Sequence, residues 1–247
     1  MEDLTEAFPL LLEARASVTQ GEFEHGIAIY SELLESMNPD DEKVPYVYIE
    51  YADALIKSSN VFFIEEISRI SGRKGLNLEE RKGAEDDLEI AWNLLEICKS
   101  AFSILKDYAM LARTRFLQGE ICLLNNEFRD GLHELVECVA VMDKIYEKDC
   151  FKYADVYLSL ANCYEFLEDF EMSKEYYDKA IGIYRAEQER RESDEEKNEI
   201  CDVITELLQK GTELRYKKER LENVDLPDEP ESDDMFIDIN ACKRNKK

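Results

Sequence analysis

Apolar residues recur three and four apart along most of this 247-residue chain, the spacing of helices that bury one face. In the helix running from Asp87 to Phe102, Leu88, Ala91, Leu94, Leu95 and Cys98 form one stripe bordered by Ile90 and Ile97, with the only tryptophan, Trp92, inside it. Near the end, Ile200, Val203, Ile204, Leu207, Leu208 and Leu214 predict a long helix reaching about Leu221, after a charged turn region from Glu187 to Lys197. With only nine glycines and five prolines, and with Glu, Leu, Lys and Ala filling the long segments, the economical fold class is all-α.

The helices come in repeating pairs. One copy supplies Ala14, Gly21, Phe23, Gly26, Tyr30 and Pro39, a later one Gly119, Asn126, Phe128, Gly131, Leu135 and Cys138, and the next Ala161, Tyr164, Phe170, Ser173, Tyr177 and Ala180. Small residues at the helix crossing with an aromatic after the turn resemble tetratricopeptide repeats, although Phe128 and Phe170 are 42 residues apart, longer than the family's usual period. Between the first and third copies lies a broken one. Its first helix, Val44 to Lys57, carries Tyr51, Ala52 and Leu55, but its second starts only near Asp87. Residues 59–84, with an apolar patch from Val61 to Ile64 and then Gly72, Gly75 and Gly83, are expected to form a partly helical, partly mobile insertion. The expected architecture is a solenoid of four helix pairs, the second interrupted, closed by a C-terminal capping helix over residues 1–222. Residues 223–247 are expected to be a disordered acidic tail. From Glu222 to Asp238 the chain has eight acidic residues, two prolines and no basic one, and it ends on Lys243, Arg244, Lys246 and Lys247, a basic cluster compatible with nuclear import.

Charge changes the functional picture. The net charge is −26, from 57 acidic and 31 basic residues, which disfavours direct contact with nucleic acid or anionic membrane and favours a cationic protein partner. Seven cysteines without CxxC spacing read as buried thiols in a reducing compartment, not as disulfides or a zinc site, and no cofactor is expected. No apolar run approaches the ~20 residues of a membrane span. His25 and His133 have no nucleophile or ligand spacing around them, and no P-loop, GxGxxG, HExxH or GxSxG motif occurs, so no enzyme is expected.

An acidic chain with four such copies, the second split and restarted by LEIAWNLLEICKSAF, resembles the nuclear autoantigenic sperm protein family of histone chaperones. The stretches YIEYADALIKSS, FLQGEICLLNNEF and LANCYEFLEDFEMSKEYYDKAI carry the rest of the resemblance, which covers roughly residues 1–221. It implies a non-enzymatic chaperone of the core histones of the central nucleosomal tetramer, serving histone storage, transport and chromatin assembly. The implied location is nuclear, with a cytoplasmic pool, and a homodimer is compatible with it. One departure is evident. The family's interruption is a long acidic tract, whereas residues 59–84 hold four acidic and five basic side chains.

In a tetratricopeptide array the first helix of each pair lines the groove. Counting from Ala52, Gly119 and Ala161, the groove positions are Tyr46, Ile49, Asp53 and Ile56, then Arg113, Phe116, Glu120 and Leu123, then Asp155, Leu158, Asn162, Glu165 and Phe166. Of these, Tyr46, Asp53, Phe116, Glu120, Leu123, Asp155, Leu158, Asn162, Glu165 and Phe166 are the expected histone-binding residues. Carboxylates among apolar anchors suit a partner with Arg or Lys beside aliphatic side chains. The alternative is a general tetratricopeptide co-chaperone or peptide-binding adaptor. The cationic clamp that grips an acidic chaperone terminus is largely missing, because its positions hold Leu11, Arg15, Asp53 and Leu117. A phosphopeptide-binding helical protein of the 14-3-3 type would need a basic pocket.

Overall fold

Where two helices cross closely, a small residue must sit at the contact, and the chain supplies one each time. The computed structural model describes residues 4–71, 78–148 and 150–222, and among them forms ten helices and no strand. These are α1 (Leu4–Ala7), α2 (Leu10–Thr19), α3 (Phe23–Ser36), α4 (Val44–Ser71), α5 (Leu78–Leu105), α6 (Tyr108–Leu124), α7 (Phe128–Met142), α8 (Tyr153–Phe166), α9 (Phe170–Arg190) and α10 (Asp194–Glu222). Helices α2/α3, α4/α5, α6/α7 and α8/α9 pack as pairs, α4, α6 and α8 lie side by side as a row of first helices, and α10 caps α9. This is an all-helical tetratricopeptide-type solenoid. Among the described residues no helix is long and apolar enough to cross a membrane.

The crossings are tight. A Cβ at Gly119 would lie 2.7 Å from the Leu135 side chain, and one at Gly26 2.7 Å from Val18 and 3.3 Å from the Ala14 carbonyl oxygen. Ala52, Ala91 and Ala161 fill the corresponding role and are fully buried. One continuous core joins the second, third and fourth pairs, from Ile49 through Leu95, Phe102, Leu135 and Leu160 to Ile204 of the cap. A second cluster, including Leu11, Tyr30, Leu33 and Val47, seats the first pair against α4. Leu214 of α10 buries with Ala161 and Tyr177, so the cap closes the last apolar face. Of the six described cysteines, Cys98, Cys122, Cys138 and Cys163 are buried, Cys150 is half-buried and Cys201 is exposed; all six are free thiols.

Three of the four pairs use the same turn. Gly21, Asn126 and Glu168 take left-handed backbone angles (φ 82°, 61° and 62°), and each turn closes through equivalent bonds: Glu22 N to Ser17 O, Glu127 N to Cys122 O and Asp169 N to Tyr164 O. The second pair departs from this. Ser59 stands at the equivalent position, seven residues after Ala52, yet it is buried inside α4 and its hydroxyl donates to the Ala84 carbonyl of α5 (3.2 Å). The interruption is therefore not inserted between two short helices. It lengthens both of them, so the helix expected to end at Lys57 runs to Ser71 and the one expected from about Asp87 starts at Leu78. Salt bridges from Arg69 to Glu80 (2.9 Å) and from Arg81 to Glu66 (3.4 Å) hold the extended hairpin together. The other correction is the charged turn expected over Glu187 to Lys197, which shrinks to residues 191–193. Arg191 ties Glu187 (2.8 Å) to Glu196 (3.0 Å), and that pairing lets two charged helix ends meet at a short corner. Residues 72–77 and the tail at 223–247 lie outside the described residues.

These packing rules give opposite signs for similar substitutions. Gly119→Ala is expected to destabilise by about 1–3 kcal/mol because Leu135 must move. Gly182→Ala, in an exposed helical position with open space around it, is expected to stabilise by about 0.5–1 kcal/mol. Glu168→Gly is expected to gain about 0.5–1 kcal/mol by relieving the left-handed turn. Urea denaturation of the three variants checks all three signs.

Candidate functional site

The row of first helices brings the expected groove residues onto neighbouring elements, but most of them are already occupied. Tyr46 donates to Asp107 Oδ2 (3.0 Å) and meets the Phe102 ring edge-on, centroids 5.0 Å apart; Asp107 also caps α6 by accepting from the Met110 amide. Asp53 pairs with Arg113 of α6 (2.9 Å) and with Lys57 of its own helix (3.1 Å). Arg15 of α2 grips Glu50 through two bonds, 2.8 and 2.6 Å, and Tyr30 also donates to that carboxylate. Ile49 and Ile56 are core residues, and Leu123 and Leu158 pack against the core.

At the far end, the cap claims the acidic position. Glu165 is salt-bridged to Lys217 and lies 3.7 Å from Lys210, both on α10. Tyr177 donates to Asn162 Oδ1 (2.7 Å) and, at 3.4 Å, to Glu165. Phe166 is exposed and stacks flat on Phe128, ring centroids 4.4 Å apart. Glu165 and Asn162 thus hold α8 to α9 and α10.

Glu120 and Asp155 are different. They stand on adjacent helices α6 and α8, and neither has a cationic partner among the described residues. Glu120 accepts only from the Ser159 hydroxyl (2.6 Å). Burial pushes its carboxyl above the ordinary carboxylate range, the Ser159 bond lowers it, and the negative charge of Asp155 raises it further. Asp155 is accessible to solvent, yet desolvation by its surroundings raises it too. Beside Asp155 opens a cleft of about 350 Å³ between α6, the end of α7 and the start of α8. Ala109, Met110, Phe116, Met142 and Val156 give it apolar walls, and Arg113, Tyr146, Lys152 and Asp155 edge it. Lys152 is turned onto Tyr146, bonding its hydroxyl (2.9 Å) and lying over its ring. The arrangement can take a cationic side chain against two unneutralised carboxylates and an aliphatic or aromatic one into the cleft. Met110, Met142 and Tyr146 escaped the sequence reading because two of them belong to a second helix and the turn after it, which counting along first helices ignores. Among the described residues no group of three or more His, Cys, Asp or Glu side chains is placed to hold a metal.

The tetratricopeptide repeat pattern matches residues 154–187, the stretch that holds α8 and most of α9. The fold is similar to that of a crystallised kinesin light chain-type protein of Podosopora anserina with nearly identical TPR-like repeats: TM-score 0.49 at 12% identity over 89% of this chain and 100% of that one. A single-residue variant of that protein gives 0.49 at 11%, over 89% and 99% of the two chains. No curated protein sequence matches the chain.

A carboxyl that holds its proton more tightly folded than unfolded costs stability once the pH rises past the ordinary carboxylate range, and the full cost remains above its raised value. Glu120→Gln, which keeps an acceptor for Ser159, and Asp155→Asn are therefore expected to raise the melting temperature at neutral pH. The gain should shrink as the pH falls through the ordinary carboxylate range and vanish below about pH 3, where both carboxyls are protonated in either state. Calorimetric scans across that range read it directly.

Proposed function

We propose that this chain is a non-catalytic protein-binding scaffold that holds a basic, partly apolar protein segment along its row of first helices, and that its partners are the core histones of the central nucleosomal tetramer. One observation carries the reading: Asp155 edges a largely apolar cleft and Glu120 lies within its electrostatic reach, with neither carboxyl ion-paired among the described residues. Burial of the Glu120 carboxylate without a cation opposes folding, and an arriving guanidinium or ammonium group would relieve it while pairing with the exposed Asp155. Phe116, Met110 and Met142 then cover the aliphatic surface next to that cation. The net charge of −26 draws basic partners from a distance and repels nucleic acid. Support for histones in particular comes from the resemblance of the split second repeat and its restarting helix to the nuclear autoantigenic sperm protein family. On this reading the scaffold neutralises and covers histone surface until an acceptor that binds more tightly, ultimately DNA, takes over. The terminal cluster Lys243, Arg244, Lys246 and Lys247 would serve import into the nucleus, with a cytoplasmic pool.

Titration calorimetry with the purified histones tests it. Glu120→Lys with Asp155→Lys is expected to weaken binding by at least about tenfold, since like charges would face the partner's cations. Deleting Val224 to Lys247 is expected to weaken it only modestly and to leave the helical content of residues 4–222 in place. If the double variant binds like wild type while the deletion abolishes binding, the acidic tail is the binding element and the groove reading falls.

A further inference from the structure

The stripe of α4 that faces its neighbours repeats with alternating steps of four and three: Tyr46, Glu50, Asp53, Lys57, Asn60, Ile64, Ile67 and Ser71. Its first half is engaged, with Tyr46 on Asp107, Glu50 on Arg15 and Asp53 on Arg113. Its second half has neither α2 nor α6 beside it, because α2 ends at Thr19 and α6 at Leu124 while α4 continues to Ser71, flanked by α5 and the start of α3. There Asn60, Val61, Ile64, Ile67, Ser68 and Ser71 are all exposed and all uncharged, with Ile64 57% and Ile67 64% accessible. The charges of the hairpin lie to the flanks and satisfy one another, Arg69 with Glu65 and Glu80, Arg81 with Glu66 and Glu85. In a chain of net charge −26, this is an uncharged seam in which Ile64 and Ile67 are in register with the row of first helices, with Val61 at its side, on the cleft that Phe23 and Ile27 also line.

We propose that Val61, Ile64 and Ile67 form an apolar lip that receives the aliphatic face of the same basic partner's helix, extending its seat beyond the row of first helices. The inference rests on the reading that this row takes a basic protein segment. The Asp53–Arg113 bond marks the level on α4 that lies beside the cleft, and Ile67 is 14 residues further along. At 1.5 Å per residue the lip is about 21 Å away, so an occupant running along α4 is a helix of about 14 residues or more, cationic at one end and aliphatic at the other. A second copy of this chain fits less well. Two such anions repel, and three aliphatic side chains from each copy fall short of the roughly 800 Å² per partner of a stable interface. Because the lip offers no charge, its share of the affinity does not respond to salt, unlike that of Glu120 and Asp155.

The test compares the full chain with Ile64→Ser/Ile67→Ser, and with Ile64→Leu/Ile67→Leu as the conservative control, using labelled histones of the central tetramer as the probe at about 0.15 M and about 1 M salt. Both positions are exposed, so circular dichroism should be unchanged. The serine pair is expected to lose about tenfold in affinity at both salt concentrations while the leucine pair matches wild type. Equal affinity of the serine pair and wild type overturns the lip and leaves the basic-partner reading standing. No histone binding by wild type overturns that reading, and the lip with it. A wild-type dimer in sedimentation velocity that the serine pair dissociates, with histone affinity unchanged, gives the seam to a second copy and also overturns the proposal.

Discussion

Everything in this molecule depends on pairs of helices approaching closely enough for backbone to meet backbone. Gly26 against Ala14, Gly131 beside the Gly119 carbonyl oxygen, and the fully buried Ala52, Ala91 and Ala161 set that distance. Once it is set, the aromatic and aliphatic side chains around each crossing have a fixed space to fill, and Tyr30, Leu135 and Tyr177 fill it. The stacking of one pair on the next, the side-by-side row of α4, α6 and α8, and the cap over the last face all follow from it. A larger residue at one crossing disturbs not one contact but the placement of the next pair.

That constraint is also why the repeats were legible in the sequence. Small residues at a crossing and an aromatic after a turn recur at spacings that packing enforces, and the four pairs and cap could be read from them. The bounds of the second pair's helices differ from those expected for a local reason. Ser59 occupies a turn position and is chemically suited to a turn, and Gly83 looked like a loop marker, yet Gly83 lies within α5 and both helices run through. What decides there is the hairpin's tertiary pairing through Arg69–Glu80, Arg81–Glu66 and Ser59–Ala84, which no local propensity announces.

The candidate site was only partly legible. Counting from the small residues put Phe116 and Glu120 on α6 and Asp155 on the neighbouring α8; Phe116 and Asp155 meet at one cleft, and Glu120 lies within electrostatic reach of Asp155. It could not reveal which carboxylates remain without a cation. Glu165 is neutralised from 52 residues away by Lys217, and Asp53 from 60 residues away by Arg113. The balance of charge in this acidic chain is thus uneven. Most first-helix carboxylates stabilise the solenoid through ion pairs, while among the described residues Glu120 is desolvated without a cation and Asp155 stands at the surface without one. Paired acids build the scaffold, and the pair left without a cation is where a basic partner gains most.

The most direct measurement of that claim is hydrogen–deuterium exchange of the full chain with and without the histones of the central tetramer. The account predicts added protection in α6 and α8 around Phe116, Glu120 and Asp155, and in α4 between Val61 and Ser71, with α9 and α10 little changed. Protection confined to the segment after Glu222, with α4, α6 and α8 exchanging as in the free protein, would contradict it.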